Sequence, residues 1–551
     1  MIFIMKTVLL SSLAKVFPDC APNYGESASV SVLKNEGFSF QLAFMPEVSS
    51  EETVKISVRS PFGDGLSVYL VKSVPAGRTC YDDSDGYFLN KNRKAYPDLL
   101  SPLDNGKCVS QRDIWTSVWF KVSPESVNSG GVKKITVTLK AGKSEIKKIF
   151  TAEVIDAVLP EQTLLHTNWF HNDCLCTRYG AEPFSPEYWT IAENYIRNAV
   201  NHGVNMLLTP IFTPPLDTEV GGERPTVQLV DVVKKGKDSY SFGFENFRKY
   251  IKLCLDCGIK AFEISHLFTQ WGAFAAPKVV ALVNGKEEKI FGWDTKAGGK
   301  AYIAFLGALA PQLKREIEEL DIKDKCWFHV SDEPSLHQIG SYRRAAKLIK
   351  ELFSGYNTFD ALSNIEFYKK GLIKTPVPNV SEADEFYGKT EDFWTYYCCG
   401  QHRNFVPNRF FAMPSLRNRI LGFQLYRYNA KGFLHWGYNF WYSQYSKSEI
   451  DPYKVTDAGG SFPGGDAFVV YPGEDGKPLN SLRFEVFAEG LQDMRALQLL
   501  ESLSSRRYAL EVLNRDLDAP LSMSEYPHSV KWFSAKREEI NSEIKQLISI
   551  G

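Results

Sequence analysis

The sequence has almost no net charge. Its 551 residues contain 64 Lys and Arg against 65 Asp and Glu, a formal net charge of −1 at pH 7. A chain without a basic excess has no general electrostatic attraction for nucleic acid or an anionic membrane. We therefore expect no nucleic-acid partner, and the balance of charge is compatible with an uncharged ligand.

Long hydrophobic runs are also missing. No stretch reaches the roughly 18 apolar residues of a membrane span, so we expect no membrane insertion. Residues 1–16 place Lys6 and Lys15 around a short apolar run without a small-residue cleavage site, which predicts a β-strand rather than a signal peptide.

Cysteine is present but not in the pattern of a disulfide-rich protein. The chain has ten cysteines and is too long to depend on disulfides, so we expect free thiols and a cytoplasmic location. Cys254 and Cys257 have metal-ligand spacing, but no second pair follows at zinc-ribbon distance, so buried structural thiols are favoured over zinc.

Several catalytic signatures are absent from the sequence. It contains no G-x-S-x-G elbow, no P-loop, no H-E-x-x-H motif and no G-x-G-x-x-G before a suitable helix. These absences argue against α/β-hydrolase, nucleotide-dependent, zinc-peptidase and dinucleotide chemistry. We expect no metal and no cofactor.

The first part of the chain has the pattern of β structure. Within residues 1–158, segments such as 53–58 and 134–139 alternate apolar and polar residues and are separated by turn residues such as Gly130 and Gly131. This spacing predicts an N-terminal antiparallel β-sandwich.

After residue 158, apolar runs alternate with amphipathic helices, and this pattern predicts a parallel sheet in an α/β fold. The predicted strands are 164–170, 205–208, 260–265, 325–330, 361–365, 385–387, 393–397 and 432–439; the predicted helices include 188–201, 244–257, 301–320 and 339–352. Eight strands suggest a (β/α)8 TIM-like barrel over residues 159–505. We expect a β insertion near 450–480, a helix at 482–502 and a short helical C-terminal tail at 506–551.

The sharpest chemical feature is the sequence FHVSDEP at residues 328–334, in which an apolar strand ends in two adjacent carboxylates. Two carboxylates brought together push their pKa values apart, so that one serves as an acid while the other is ionised. Cleavage of a glycosidic bond needs this division. A helix N-cap is the structural alternative for Asp332 and Glu333, but we favour catalysis because other predicted strand ends carry aromatic residues.

Aromatic residues make up 13% of the chain, and those at predicted strand ends are candidates for stacking on sugar rings, with polar neighbours binding hydroxyls. Core packing is an equally good explanation for any single one of them. The candidate substrate-binding residues are Trp169, His171, Asp173, Trp271, Glu366, Trp394, Tyr396, Tyr397, Trp436, Tyr438 and Trp441.

A set of longer motifs resembles glycoside hydrolase family 123, and the resemblance extends over about residues 1–500. The motifs are Trp169-Phe170-His171-x-Asp173, TPPLDT at 213–218, GGERP at 221–225, WGA at 271–273, FGWDT at 291–295, Asp332-Glu333-Pro334 and the segment 465–490. The resemblance implies a β-sandwich followed by a (β/α)8 barrel. It also implies an exo-acting β-N-acetylgalactosaminidase that retains anomeric configuration by substrate assistance and takes glycans with terminal β-GalNAc.

The resemblance also implies roles for the acidic pair. Glu333 would be the general acid/base, and Asp332 would orient and polarise the substrate's 2-acetamido group, which attacks C1 to form an oxazolinium intermediate. Two alternatives stay open. One is a conventional retaining glycosidase of different sugar specificity with Glu366 or Glu391 as nucleophile, and the other is a non-catalytic carbohydrate-binding protein.

Overall fold

The computed structural model describes residues 5–47 and 51–550. Within the described part of residues 1–158 there are ten strands, in which buried and exposed side chains alternate as in β4, where Val54 and Ile56 are buried on either side of exposed Lys55. The strands are β1 (Met5–Ser11), β2 (Ser29–Lys34), β3 (Phe38–Pro46), β4 (Glu51–Arg59), β5 (Leu66–Pro75), β6 (Ala95–Pro102), β7 (Lys107–Gln111), β8 (Thr116–Val122), β9 (Gly131–Ala141) and β10 (Ser144–Val158).

These strands form two five-stranded sheets, ordered β1-β3-β8-β5-β6 and β2-β10-β9-β4-β7. Phe40 of β3 stacks on Phe150 of β10 with 4.0 Å between ring centroids, so the two sheets pack face to face. The prediction of an antiparallel β-rich N-terminal region is confirmed, although β2 pairs with β10 in parallel. Of the strand predicted at residues 1–16, the first four residues lie outside the described part of the chain.

From residue 159 onward, strands and helices alternate. The elements are β11 (Leu165–Asn168), α1 (Asn172–Tyr179), α2 (Pro186–Val200), β12 (Met206–Thr209), β13 (Asp231–Gly236), β14 (Ser239–Gly243), α3 (Glu245–Cys257), β15 (Ala261–Ile264), β16 (Val279–Val283), β17 (Lys286–Phe291), α4 (Lys300–Glu319), β18 (Cys326–Phe328), α5 (Ile339–Leu352), β19 (Asn357–Ala361), α6 (Glu366–Lys369), β20 (Thr375–Val377), α7 (Ala383–Phe386), β21 (Trp394–Tyr396), α8 (Ser415–Arg419), α9 (Leu421–Arg427), β22 (Gly432–His435), β23 (Val470–Pro472), β24 (Pro478–Asn480), α10 (Leu482–Leu503), α11 (Arg506–Asn514) and α12 (Val530–Ile550).

Eight of these strands form one parallel sheet, ordered β20-β19-β18-β15-β12-β11-β22-β21. The two outer strands approach each other where the Tyr396 backbone N–H donates to the carbonyl of Pro378 at 3.0 Å and Val380 N–H donates to the carbonyl of Tyr396 at 2.8 Å. The sheet is therefore a nearly closed eight-stranded parallel barrel, as the sequence predicts.

Two predicted barrel strands are wrong. The fifth, predicted at 361–365, is β19 at Asn357–Ala361, where the buried Asp360 disguises the apolar pattern. The sixth, predicted at 385–387, lies largely in α7, and the true strand β20 has three residues including Pro376, a residue type that argues against a strand. The four predicted helices correspond to α2–α5, whereas α6 and α7 are single turns.

The expected insertion contains the hairpin β23–β24, and the expected helix at 482–502 is α10. The C-terminal residues form α11 and α12, and Arg537 of α12 makes an ion pair with Asp493 of α10 at 3.0 Å. Within the described ranges 5–47 and 51–550, the helices lack the combination of length and apolar character that crossing a membrane requires.

Candidate active site

A pocket of about 230 Å³ opens at the C-terminal edge of the barrel sheet. Side chains from several strand ends and from the β insertion enclose it. They are Trp169, Leu216, Asp217, Gln270, Trp271, Asp332, Glu333, Ala361, Tyr396, Cys398, Cys399, Leu434, Trp436, Gln444, Tyr445 and Phe462. The pocket therefore brings together both predicted catalytic carboxylates and four of the predicted aromatic residues.

The backbone at Asp332 and Glu333 explains why neighbouring carboxylates share one pocket. Glu333 has a φ of 42°, in the left-handed region, which costs a non-glycine residue on the order of 1–3 kcal/mol. Two hydrogen bonds fix this turn: Glu333 N–H donates to the carbonyl of Ala361 at 2.9 Å, and the Asp332 carbonyl accepts from Trp271 N–H at 2.8 Å. In a regular strand the two side chains would point to opposite faces.

The N-cap alternative for this pair is not what the structure shows. The short 3₁₀ helix Leu336–Gln338 is capped by Ser335, whose side chain forms a reciprocal capping box with Gln338. The two carboxylates precede this cap and line the pocket.

Burial dominates the electrostatics of the acidic pair. Asp332 is 9% exposed, and desolvation followed by the nearby charge of Glu333 raises its pKa well above the usual range. Glu333 is open to the pocket, yet the surrounding protein atoms raise its pKa by desolvation, while the hydroxyl of Tyr396 donates to Glu333 Oε1 and opposes this rise. The pair therefore tends to hold a proton, as an acid/base couple requires.

The predicted aromatic residues that line the pocket are held by specific contacts. Trp169 Nε1 donates to Glu263 at 2.5 Å, and Trp436 Nε1 donates to Asp466 at 3.0 Å. Trp271, at a φ of 59°, meets Tyr445 edge-to-face with 5.9 Å between ring centroids. The rings are thus fixed in place around the acidic pair.

Three polar residues that the sequence predicts to bind substrate lie away from the pocket. Asp173 forms a buried ion pair with Arg224 at 2.7 Å, and His171 lies between Arg224 Nη2 at 3.1 Å and the carbonyl of Trp436 at 2.9 Å. Glu366 is half-exposed beside Lys369 and Lys370, each at 3.1 Å. These three residues therefore make structural contacts rather than lining the pocket.

Four predicted aromatic residues are also outside the pocket. Trp394 fills the barrel interior, where Gly432 makes room for it: a Cβ at Gly432 would approach the Trp394 ring to 2.2 Å. The other three point into the surrounding helices and loops and hydrogen-bond there: Tyr397 to Asn418, Tyr438 to the carbonyl of Tyr195 and Trp441 to the carbonyl of Val470. Tyr396 is the last residue of β21 and packs in the barrel interior with Trp394, whereas Tyr397 follows the strand and belongs to the cluster outside the barrel.

Sequence reasoning missed several lining residues, most notably Asp217. Its φ is 40°, its N–H donates to Gln270 Oε1 at 2.8 Å, and its carboxylate accepts from Tyr445 N–H at 3.1 Å. Burial raises the pKa of Asp217 to about 6. Its place in the TPPLDT motif was a signal that could have found it. Tyr445 and Phe462 reach the pocket from the segment between β22 and β23, where the sequence shows no motif that points to a site.

One group of residues in the described part of the chain could in principle hold a metal ion: His266, His329 and Asp360, whose ligand atoms lie within 4.8 Å of one another. The two imidazole rings stack with centroids 3.8 Å apart and an interplanar angle of 16°. An ion binds imidazole nitrogen near the plane of the ring, and two nearly parallel stacked rings do not share such a point. Both ring nitrogens of His329 already face carboxylates.

An acidic pair in an aromatic pocket at the C-terminal edge of a parallel barrel is the arrangement of a glycoside hydrolase. The family model for "Glycoside hydrolase 123, catalytic domain" matches residues 169–500, more than half of the chain. The chain belongs to glycoside hydrolase family 123.

Solved structures were compared with the fold of this chain. The chain is similar to a family 123 glycoside hydrolase from Clostridium perfringens, solved to study glycolipid glycan hydrolysis, with a TM-score of 0.75, 15% identity and coverage of 99% of this chain and 97% of that chain. This likeness shows a shared fold. β-Glucuronidase 3 from Bacteroides uniformis gives a TM-score of only 0.30 at 11% identity, covering 88% of this chain and 51% of that chain. A comparison with curated protein sequences finds no match.

Proposed function

We propose that the protein is an exo-acting, retaining β-N-acetylgalactosaminidase that releases terminal β-GalNAc from glycans or glycolipid oligosaccharides. The observation that carries the proposal is the adjacent pair Asp332–Glu333, facing one aromatic pocket in a family 123 chain. The glycolipid glycans named for the Clostridium perfringens relative support this substrate class.

Glu333 is the proposed proton donor. Its raised pKa favours the carboxylic acid form, which protonates the glycosidic oxygen as the bond from C1 to the leaving group breaks. The acetamido carbonyl oxygen attacks C1 from the other face and closes an oxazolinium ring. Ionised Glu333 then takes a proton from water as that water opens the ring at C1, so the product keeps the β configuration.

Asp332 is the proposed orienting residue. Although burial raises the pKa of Asp332, the acetamido N–H and the positive charge that develops on the closing ring would favour its carboxylate form, which would hold the N–H and stabilise that charge. The two carboxylates would thus act on different parts of one sugar. The aromatic walls of Trp169, Trp271 and Trp436 would stack on its apolar face, and a pocket of about 230 Å³ suits a single terminal residue.

The role of Asp217 distinguishes the substrate-assisted mechanism from a conventional one that uses a protein nucleophile. Glu366 and Glu391 do not line the pocket, and Asp217 is the lining carboxylate outside the Asp332–Glu333 pair, so Asp217 replaces them as the candidate for a protein nucleophile. We assign Asp217 to binding sugar hydroxyls, because its carboxylate is oriented by the Tyr445 N–H and its backbone by Gln270.

A panel of aryl glycosides tests the specificity. We expect hydrolysis of aryl β-GalNAc in preference to aryl β-GlcNAc, no hydrolysis of aryl β-Gal, strong inhibition by GalNAc-thiazoline, and β-GalNAc as the first product seen by ¹H NMR. Equal hydrolysis of aryl β-Gal would contradict substrate assistance, because that sugar lacks the acetamido group. Sugar binding without turnover of any glycoside would support the non-catalytic alternative.

The variants Asp332→Asn and Asp217→Asn test the mechanism as a matched pair. We expect Asp332→Asn to lower kcat by about 100-fold, and Asp217→Asn to act mainly on KM. A conventional nucleophile at Asp217 predicts the reverse: loss of turnover in Asp217→Asn, restored by azide with formation of the α-glycosyl azide.

We also propose that the chain divides as the sequence predicts, into units at 1–158, 159–505 and 506–551. The two five-stranded sheets, the eight-stranded parallel sheet and the terminal helices α11 and α12 support this division.

A further inference from the structure

Three charged side chains lie buried in the barrel interior next to the acidic pair. Glu263 of β15, His329 after β18 and Asp360 of β19 come from three neighbouring strands, and each is at most 1% exposed. His329 Nε2 lies 2.5 Å from Glu263 Oε1, and His329 Nδ1 lies 2.9 Å from Asp360 Oδ1. We call these three residues the buried triad.

The triad carries a histidine cation. Burial alone would lower the pKa of His329, but hydrogen bonds and charges from Asp360 and Glu263 raise it to about 9. His266, which stacks on His329, has a pKa lowered well below its usual value by burial, so it is neutral. The ionisable groups around the His329 ring are therefore Glu263, Asp360 and, beyond them, Asp332 with its neighbour Glu333.

Asp360 also holds the backbone that leads to the acidic pair. Its carboxylate accepts hydrogen bonds from the N–H groups of Val330 at 3.0 Å and Ser331 at 3.1 Å, and from the hydroxyl of Tyr342 at 2.6 Å. Ser331 Oγ in turn accepts from the N–H groups of Gly272 and Ala273 at 3.2 and 3.1 Å, in the loop that carries Trp271.

Glu263 connects the triad to another wall of the pocket. Its carboxylate accepts from Trp169 Nε1 at 2.5 Å and from the Thr167 hydroxyl at 2.6 Å. The triad thus contacts Trp169 directly and reaches Asp332 and Trp271 through one backbone segment. Buried, fully hydrogen-bonded arrays of this kind fix geometry strongly.

We propose that the buried triad Glu263–His329–Asp360 positions the Asp332–Glu333 pair and sets its charge. The carboxylates hold the strand end and Trp169, and the His329 cation favours the ionised form of Asp332 against the negative charges around it. This inference rests on the proposed function only in that Asp332 and Glu333 are the catalytic pair. It does not depend on which sugar is cleaved.

The test is the pH profile of His329→Gln, measured with whichever aryl glycoside the wild type hydrolyses best. Loss of the cation removes a charge that lowers the pKa of Asp332. We expect the acidic limb of kcat/KM to move to higher pH, and kcat to fall about 10- to 100-fold with a much smaller change in KM. An unchanged acidic limb with a wild-type kcat would overturn the proposal.

His266→Gln is the matched control, since it makes the same substitution in the stacked ring, which is neutral and whose two ring nitrogens are buried without a hydrogen-bond partner. We expect its acidic limb to stay at the wild-type pH. An equal shift in both variants would mean that any buried histidine has this effect, and would overturn the assignment to the triad.

A direct measurement covers the case in which His329→Gln does not fold. Wild-type protein labelled with ¹⁵N-histidine should show an imidazolium signal at pH 8 that titrates near pH 9, and the same signal should be present in His266→Gln. Absence of such a signal in the wild type would overturn the charged triad. If aryl β-GalNAc is not the best substrate, the proposed specificity fails while these measurements still decide the role of the triad.

Discussion

The two ends of the barrel each contain a glutamate, and their surroundings shift the pKa values of the two side chains in opposite directions. Glu333, at the C-terminal edge, has the Tyr396 hydroxyl as its side-chain partner, and desolvation raises its pKa. Glu485 of α10, at the N-terminal edge, is buried between Lys121 at 2.8 Å and His202 at 3.0 Å. Burial would raise the pKa of Glu485 as well, but these two partners outweigh it and hold the pKa far below the usual range.

The difference shows that the surroundings of a glutamate decide whether it supports reactivity, as proposed for Glu333, or stability, as at Glu485. Lys121 belongs to the N-terminal sheets and Glu485 to the last barrel helix, so the ion pair joins two parts of the molecule. At the pocket, a carboxyl without a cation partner costs folding free energy but retains a transferable proton. Substituting Glu333 and Glu485 by glutamine in turn separates these two roles.

The largest effect is expected for Glu333→Gln. An amide cannot protonate the leaving group, so kcat/KM should fall about 10²- to 10⁴-fold. Because the substitution removes a poorly solvated carboxyl, the thermal unfolding midpoint should stay equal or rise slightly. Kinetics with an aryl glycoside and a melting curve on the same sample check both, and a loss of activity that merely tracks unfolding would contradict the catalytic role.

Glu485→Gln makes the same substitution at the other end. It leaves the Lys121 ammonium and His202 without their carboxylate. Breaking a buried ion pair should lower the free energy of unfolding by about 3 kcal/mol. This is the lower end of the range for buried pairs, because Lys121 is partly exposed. Urea unfolding measures this loss. Activity per folded molecule should match the wild type, and a reduced kcat in fully folded protein would break the comparison.

Tyr396→Phe should have a smaller effect on the pocket. Its hydroxyl favours ionised Glu333 and so lowers the pKa of that carboxyl. Removing it should raise the pKa of Glu333, so the basic limb of the pH–rate profile should move to higher pH. We expect kcat/KM at neutral pH to change by about tenfold or less. A basic limb that moves to lower pH would mean that Glu333 is not the group that must be protonated.

The smallest effect concerns acid stability. Glu485 has a lowered pKa in the folded protein, so its contribution to stability is present above its unfolded pKa near 4.5 and is lost as the pH falls below that value. Urea unfolding between pH 6 and 3.5 should therefore show a steeper loss of stability in the wild type than in Glu485→Gln. Parallel curves would contradict the ion-pair explanation.

Parts of the site were predictable because their signal is local. Asp332 and Glu333 follow an apolar strand directly, and Trp169, Trp271, Tyr396 and Trp436 stand at strand ends, where a barrel places its pocket. The prediction of pocket residues failed where packing between strands determines the position of a side chain. Trp394 is the first residue of β21, at the other end of the strand from Tyr396, and its register partner Gly432 leaves space for its ring inside the barrel; no pattern along one strand records a neighbour on another.

The sequence by itself determined the alternation of strands and helices in most of the barrel and placed two carboxylates together at the end of one strand, because periodicity and adjacency are properties of the chain. Only the tertiary structure decided that both face one pocket, through the left-handed backbone of Glu333 and the hydrogen bonds from Trp271 and to Ala361. It also decided which glutamate meets a cation. Burial and charge depend on residues distant in sequence, so Glu333 and Glu485 become different only once the barrel is closed and the N-terminal sheets pack against it.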